Sequence, residues 1–214
     1  MIVLRLKNVK NSSAIIENSR YIIKNPEKFK GNWCKVFDND NDINIEIGMG
    51  KGDFIIEMAL NNPNINFIGI EMFDSVIVRA CQKLEKLELN NLKLIRMDAN
   101  KIEDVFDEEI NIIYLNFSDP WPKNRHEKRR LTSNVFLKKY DKIFKNKCII
   151  YQKTDNIELF SYSINSLSGY GYTLKNVTLD LYNNMIEGNV ETEYEKRFVS
   201  KNIKILRLEA YKYK

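Results

Sequence analysis

Four acidic residues stand in or just after apolar runs, where a carboxylate could meet a ligand. Glu46 lies inside Ile43-Asn-Ile-Glu-Ile47, separated by one residue from the loop Gly48-Met-Gly-Lys-Gly52. A carboxylate in an apolar strand is costly unless something pairs it, and a cationic ligand group would. Glu71 follows Ile65-Asn-Phe-Ile-Gly-Ile70, 19 residues after Gly52. An acid at about that distance can accept from both hydroxyls of a ribose. Asp98 follows Leu92-Lys-Leu-Ile-Arg96 in the same manner, and Asp119 sits in Ser118-Asp-Pro-Trp-Pro-Lys123 after Ile110–Phe117. The two prolines fix φ and remove N–H donors. Asp119 is thereby carried on a stiff turn, with Trp121 available to stack on a base. Glycines in the loop let the backbone approach a ligand, and a following helix N-terminus offers free N–H groups. The pattern is G-x-G-x-G and not the dinucleotide G-x-G-x-x-G; taken alone it is equally a tight turn. With Glu71 and Asp98 it fits a ligand bearing an adenosine. A nicotinamide dinucleotide carries a pyrophosphate that crowded acids would repel, whereas S-adenosylmethionine carries an ammonium and a sulfonium.

The charge distribution separates two jobs. Residues 36–120 hold 7 Lys/Arg and 17 Asp/Glu, whereas residues 121–147 hold 10 and 2. The densest part, Trp121-Pro-Lys-Asn-Arg-His-Glu-Lys-Arg-Arg130, has 5 Lys/Arg in 10 residues. Each cation that neutralises a phosphate releases condensed counterions, so such a block reads as a polyanion contact. Lysines are scattered throughout this Asn-, Lys- and Ile-rich chain, but the clustered arginines at 125, 129 and 130 stand apart. Further on, Lys153-Thr-Asp155 follows an apolar run, and Asp155 could serve as a helix N-cap. Glu191-Thr-Glu-Tyr-Glu195 reads by composition as a solvated turn.

These residues need a scaffold. Apolar runs at 43–47, 65–70, 92–96, 110–117, 148–152, 173–181 and 203–211 are expected strands. Helical periodicity is expected over 53–61, 74–89, 101–106, 132–144 and 156–167. Strands alternating with helices imply βαβ units in a parallel sheet. The expected fold is a doubly wound, Rossmann-like α/β sandwich with its ligand beyond the carboxyl ends of the strands. Residues 1–42, ending in Asp38-Asn-Asp-Asn-Asp42, read as an N-terminal appendage to a domain over 43–214, with a helix around 12–23.

The chain has 214 residues with 43% hydrophobic and 29% charged, an ordinary globular mix that excludes collagen-like and wholly disordered classes. Three dispersed cysteines and a single histidine, His126, give no metal-ligand spacing and no disulfide framework. They fit a reducing, cytoplasmic setting. The opening residues are too short an apolar run for a signal peptide, and no stretch reaches the ~18 apolar residues of a membrane span.

Taken together, E-I-G-M-G-K-G (46–52), I-E (70–71), D-A (98–99), N-F-S-D-P-W-P-K-N-R-H-E-K-R-R-L (116–131), K-T-D (153–155) and T-E-Y-E-x-x-F (192–198) resemble the bacterial tRNA (guanine-N7-)-methyltransferases of the TrmB family. The resemblance covers about residues 20–214. It implies a class I methyltransferase fold, with a seven-stranded sheet whose last strand is antiparallel, S-adenosylmethionine as cofactor, and methylation of a guanine in the tRNA variable loop. Carried over by motif, it implies cofactor contacts at Glu46, Gly48, Glu71, Asp98 and Asp119, with Asp119 also the catalytic position. It further implies substrate contacts at Lys123, Asp155, Thr192, Glu193, Tyr194 and Glu195, and RNA contacts at Arg125, His126, Lys128, Arg129 and Arg130. The family's N-terminal basic stretch with a proline appears here as Arg5-Leu-Lys-Asn-Val-Lys10 without one.

Guanine N7 is a lone-pair acceptor without a proton, so methyl transfer to it needs no general base. Asp119 is then expected to orient and to stabilise developing positive charge, while Asp155 and Glu195 accept from the guanine N1–H and amine. Rival readings are a methyltransferase with another target, a noncatalytic RNA-binding protein on a degenerate Rossmann scaffold, and, more distantly, a nicotinamide oxidoreductase. The sequence leaves a monomer and a homodimer both open.

Overall fold

The central strands are buried on both faces, which is why they read as continuous apolar runs. In the computed structural model, which describes residues 9, 11–184, 189–192, 194–195, 198 and 201–214, β1 (Ile43–Ile47) and β2 (Asn66–Glu71) are buried at every position. β3 (Leu92–Arg96) pairs with β2, and β4 (Ile110–Asn116) pairs with β1 on its other side, both parallel. β5 (Phe144–Thr154) continues parallel to β4. β6 (Thr173–Thr178) forms the far edge, and β7 (Leu206–Tyr213) enters antiparallel between β5 and β6. The order across the seven-stranded sheet is β3-β2-β1-β4-β5-β7-β6. Strand order reverses at β1, so the crevice where ligands sit in such sheets opens at the carboxyl ends of β1 and β4. The doubly wound α/β sheet with an antiparallel final strand is the one expected from the sequence.

Helices cover both faces. α1 (Ser12–Asn18), α3 (Asp53–Asn61) and α4 (Asp74–Leu84) bury Ile16, Phe54, Ile55, Ile77, Val78 and Leu84 against Phe67, Leu92, Leu94 and Tyr114. On the other face α2 (Cys34–Phe37), α5 (Ile102–Val105), α6 (Asn134–Ile143) and α7 (Ile157–Gly169) bury Phe37, Ile102, Phe136, Tyr140, Phe160 and Leu167 against Ile45, Ile113, Leu115 and Ile150. Each such side chain contributes roughly 1.5–3 kcal/mol by leaving water. Among the described residues no helix is long and apolar enough to cross a membrane.

The stretch set apart above as an N-terminal appendage shares these cores. Trp33 is fully buried and its Nε1 donates to the Val105 carbonyl at 2.9 Å. The Gly31 and Trp33 N–H groups both donate to the Glu109 carboxylate, at 2.9 Å each. Ile22 forms a parallel bridge to Leu94, and Ile23 N–H donates to the Leu94 carbonyl at 2.9 Å. This adds a short pairing along the outer edge of β3. At the opposite edge, β6 breaks register between Lys175 and Thr178, where Asn176 has φ 49°.

Three element boundaries differ from expectation for identifiable reasons. α4 ends at Leu84, not Leu89, because Tyr21 captures the following backbone: its hydroxyl donates to the Leu87 carbonyl and accepts from Leu89 N–H. β5 begins at Phe144, four residues before Cys148, because Phe144 pairs with Ile110 while exposed Lys145 and Lys147 hide the strand's pattern. α1 stops at Asn18 because the chain then turns to pair with β3.

Candidate functional site

The loop after β1 is shaped by its glycines. Gly48, Gly50 and Gly52 have φ of 76°, 59° and 79°, a region that only glycine enters without strain. A Cβ at Gly48 or Gly50 would meet nothing within 4 Å, whereas one at Gly52 would lie 2.9 Å from Ala80 Cβ. The first two glycines therefore leave an open surface, and the third permits α3 to approach α4. Gly48 and Met49 N–H groups both donate to the Ile70 carbonyl, at 2.9 and 3.0 Å, which folds the loop over the end of β2.

Around this loop the acids converge. Glu46 Oε1 accepts from Asn116 Nδ2 at 2.9 Å on the neighbouring strand β4, while its buried Oε2 has no partner among the described residues. Burial pushes the Glu46 carboxyl up to about 8, against the pull of the Asn116 bond and of the Lys153 charge; Glu71 and Asp53 push it further. Glu71 accepts at Oε1 from Met72 and Phe73 N–H, at 2.8 and 3.0 Å, and at Oε2 from Gly50 N–H at 3.2 Å. Its carboxyl is likewise raised by burial, lowered by those three donors, and raised by the charge of Asp119. Glu46 and Glu71 stand at the carboxyl ends of the neighbouring strands β1 and β2, and Asp119 follows β4 on the other side of β1, where a sheet of this order has its ligand hollow; the charge of Asp119 reaches Glu71, and that of Glu71 reaches Glu46. Asp98 follows β3, one strand further out. It caps the short turn at Ala99–Lys101 by accepting from Asn100 N–H at 2.8 Å. It lines an open groove of about 550 Å³ shared with Met72, Met97 and residues from Ser13 to Pro26 of the N-terminal segment.

The turn that carries Asp119 is strained. Phe117 and Trp121 have φ of 52° and 42°, and each such residue costs on the order of 1–2 kcal/mol. Phe117 N–H donates to the Lys153 carbonyl at 2.8 Å. Asp119 is exposed. Beyond it, Asn124–Arg129 forms a 3₁₀ turn; Arg125, Lys128 and Arg129 on it and Lys123 just before it are exposed. The Arg129 guanidinium covers the Trp121 ring at 4.9 Å, and His126 meets that ring edge-on at 5.7 Å. Partial desolvation, then the charges of Arg129, Arg125 and Lys123, hold His126 below its ordinary range. Arg130 differs from its neighbours: Nε and Nη2 donate to the Pro120 and Trp121 carbonyls at 3.0 and 3.2 Å.

A buried cation links the last two motifs. Lys153 Nζ donates to the Val190 carbonyl at 2.7 Å and to Glu195 Oε2 at 2.8 Å, with side chains 7% and 0% exposed. Burial lowers the Lys153 ammonium, and Glu195 raises it. Thr192 N–H also donates to Glu195 Oε2, at 2.8 Å, and Glu195 N–H donates to Thr192 Oγ1 at 3.0 Å. This reciprocal pair is a capping box, whose T-x-x-E spacing is visible in the sequence. Glu195 is thus engaged inside the protein and not turned to a ligand. Tyr194 between them is exposed and stacks on Phe117 at 5.8 Å, with Phe198 beside both rings. Asp155 is exposed; the cap of α7 is Asn156, whose Oδ1 accepts from Leu159 N–H at 2.7 Å. Glu193 lies outside the described residues. Sequence reasoning missed Asn116, Phe117 and the structural part of Lys153.

Comparison with known proteins gives three kinds of match. A family model described as "Putative methyltransferase" matches residues 40–208. A tRNA (guanine-N(7)-)-methyltransferase of Bacillus licheniformis is 54% identical over 197 residues, covering 92% of each chain. One from Lachnoclostridium phytofermentans is 48% identical over 213 residues, covering 99% of this chain and 100% of its own. Among solved structures, an antibiotic-related methyltransferase superposes with a TM-score of 0.63 at 17% identity, over 86% of this chain and 94% of its own. The 16S rRNA (adenine(1408)-N(1))-methyltransferase of Catenulisporales acidiphilia does so at 0.63 and 12% identity, over 92% and 97%. At such identities the structures speak for the fold.

Proposed function

Because this chain belongs to the tRNA (guanine-N(7)-)-methyltransferase family, we propose that its clustered carboxylates hold S-adenosylmethionine and that its aromatic and basic rim presents a tRNA guanine in the variable loop. The enzyme methylates guanine N7 in tRNA. The observation that carries the site assignment is the buried, unpartnered Oε2 of Glu46, on the strand next to the one that ends in Glu71.

The residues fit this cofactor. An amino-acid ammonium needs a carboxylate acceptor, and Glu46 offers one for which burial makes an incoming cation valuable. Ribose hydroxyls need acceptors too, and Glu71 is held by three N–H groups with lone pairs to spare. Gly48 keeps the wall between them open, and Asp98 stands at the outer margin for the nucleoside. When bound, the cofactor supplies an electrophilic methyl group on a sulfonium.

The protein's own task is placement. Guanine N7 brings its lone pair and loses no proton, so no residue has to act as a base. Asp119, rigidly mounted and sharing the hollow with Glu71, orients the reactants and stabilises the positive charge that develops on the purine. Phe117 and Tyr194 form a stacked platform at the mouth, suited to an unstacked base. Asp155 is the acceptor for the guanine N1–H and amine. Glu195 has a different part from the one the sequence implied: with Thr192 and Lys153 it holds the segment bearing Tyr194, and Glu193 lies in that same segment. Lys123 reaches toward substrate, and Arg125, His126, Lys128 and Arg129 contact the RNA backbone. A tRNA-modifying enzyme acts where tRNA is found, and we place it in the cytoplasm, as a monomer or a homodimer.

The test is to incubate the protein with unmodified tRNA and methyl-labelled cofactor and map the product. We expect 7-methylguanosine at one variable-loop position. Label at another atom or in another substrate would overturn the reading.

A further inference from the structure

The basic run after Asp119 contains one cation whose donors face inward. Arg130 is half-buried, whereas Arg125, Lys128 and Arg129 are exposed. Its Nε donates to the Pro120 carbonyl at 3.0 Å and its Nη2 to the Trp121 carbonyl at 3.2 Å. Its guanidinium lies over the Tyr162 ring of α7 at 4.3 Å, and Tyr162 Oη donates to Glu127 Oε1 at 3.1 Å. One planar group therefore joins the Asp119 turn, the basic 3₁₀ turn and α7.

The turn needs such a fastener. Pro120 and Pro122 have no N–H to donate, and Phe117 and Trp121 hold left-handed backbone angles. Strained conformations persist only where the surroundings over-determine them. A fork of fixed N–H groups is suited to holding two successive carbonyls, and a planar cation is suited to stacking on a ring. An ammonium reproduces the charge but neither the fork nor the stack.

We propose that Arg130 is a positioning residue for Asp119, fastening the Asp-Pro-Trp-Pro turn to α7, and is not a phosphate contact. The proposal rests on the assignment of Asp119 to the reaction centre. It separates two cations adjacent in sequence: Arg129 meets RNA, and Arg130 shapes the reaction centre.

The conservative variant Arg130→Lys distinguishes the two roles. A phosphate contact tolerates lysine, because the charge is kept. A fastener does not. We expect Arg130→Lys to lower kcat at least tenfold, with Kd for tRNA and its salt slope within twofold of the unsubstituted protein. Tyr162→Leu, which removes the stacking ring without touching the basic run, is expected to lower kcat in the same sense. A wild-type kcat in either variant overturns the proposal, as does a change confined to Kd and its salt slope. A readout independent of turnover comes from the two tryptophans. Trp33 is fully buried and reports the core; Trp121 reports the turn. In Arg130→Lys, acrylamide quenching of Trp121 should rise while that of Trp33 stays put. Unchanged quenching of both overturns the proposal even if the protein methylates no tRNA. A protein that methylates no tRNA but shows the Trp121 change retains the fastener and loses the functional reading instead.

Discussion

The charged groups beneath the hollow and those on the rim beside it are built in opposite ways. Glu46, Lys153 and Glu195 are buried, sit on or against regular strands, and have few, short, specific partners. Arg125, Lys128 and Arg129 are exposed on a single 3₁₀ turn, and Lys123 is exposed just before it. A buried charge acts through its immediate partner and is expensive to orphan. An exposed charge acts through a screened field, and its neighbours can replace it. The difference sets groups that hold the interior of the sheet end beside groups that project a field from its surface.

Breaking the buried side should have the largest effect. Lys153→Met removes the ammonium bonded to Glu195 and the Val190 carbonyl. Losing one partner of a buried pair costs about 3–5 kcal/mol, and we expect a loss of that order in urea denaturation. A change under 1 kcal/mol would place Lys153 with the rim cations. Asp119→Asn comes next. It keeps the shape of the turn and removes the charge, and we expect kcat to fall by about 10²–10³, the usual scale for one electrostatic contact to a transition state. Single-turnover methylation of tRNA is the measurement, and near-wild-type turnover would remove Asp119 from the mechanism.

Glu46 sharpens the comparison through pH. Its folded pKa of about 8 lies above the ordinary value of 4.5, so the folded protein holds an extra proton between those values. That contribution to stability is complete below about 4.5 and is lost as pH rises through 8, at no more than about 1.4 kcal/mol per pH unit. The cofactor-free protein should therefore lose stability from this group between pH 5 and 8, and Glu46→Gln should flatten the profile. A cationic ligand that ionises Glu46 must expel its proton, so S-adenosylhomocysteine should bind more tightly as pH rises from 6 to 8. Calorimetry in two buffers of different ionisation heat reads this directly, and zero proton release at pH 7 contradicts the assignment. The smallest effects are expected on the rim. Arg125→Ala and Arg129→Ala should each weaken tRNA binding a few-fold and reduce the salt slope by about one, leaving binding of S-adenosylhomocysteine alone.

What could be read from the sequence follows the same division. Local signals were legible. The apolar runs of β1, β3 and β4, the left-handed glycines and the acid inside β1 all rest on neighbours a few residues away. Contacts made across the sheet were not legible. Lys153 and Glu195 are 42 residues apart, and nothing in either motif announces that they meet; by composition Glu195 reads as part of a solvated turn, and the family resemblance implies a substrate contact. Asn116, one strand from Glu46, was hidden in an apolar run for the same reason. Arg130 was indistinguishable from Arg129 because a run of like charges carries no record of which member turns inward. The end of α4 was misplaced because Tyr21, far back in the chain, takes the backbone groups that a longer helix would have used.

The margins of the sheet carry a consequence of their own. An unpaired strand edge is a template for intermolecular association. Here the Ile22–Leu94 bridge occupies the β3 side, and on the other side the register break at Asn176, next to Lys175, spoils the straight run of donors that an incoming chain would copy. The two rims of the sheet are thus interrupted by different means, a bridging residue from the N-terminal segment at one and a kink at the other.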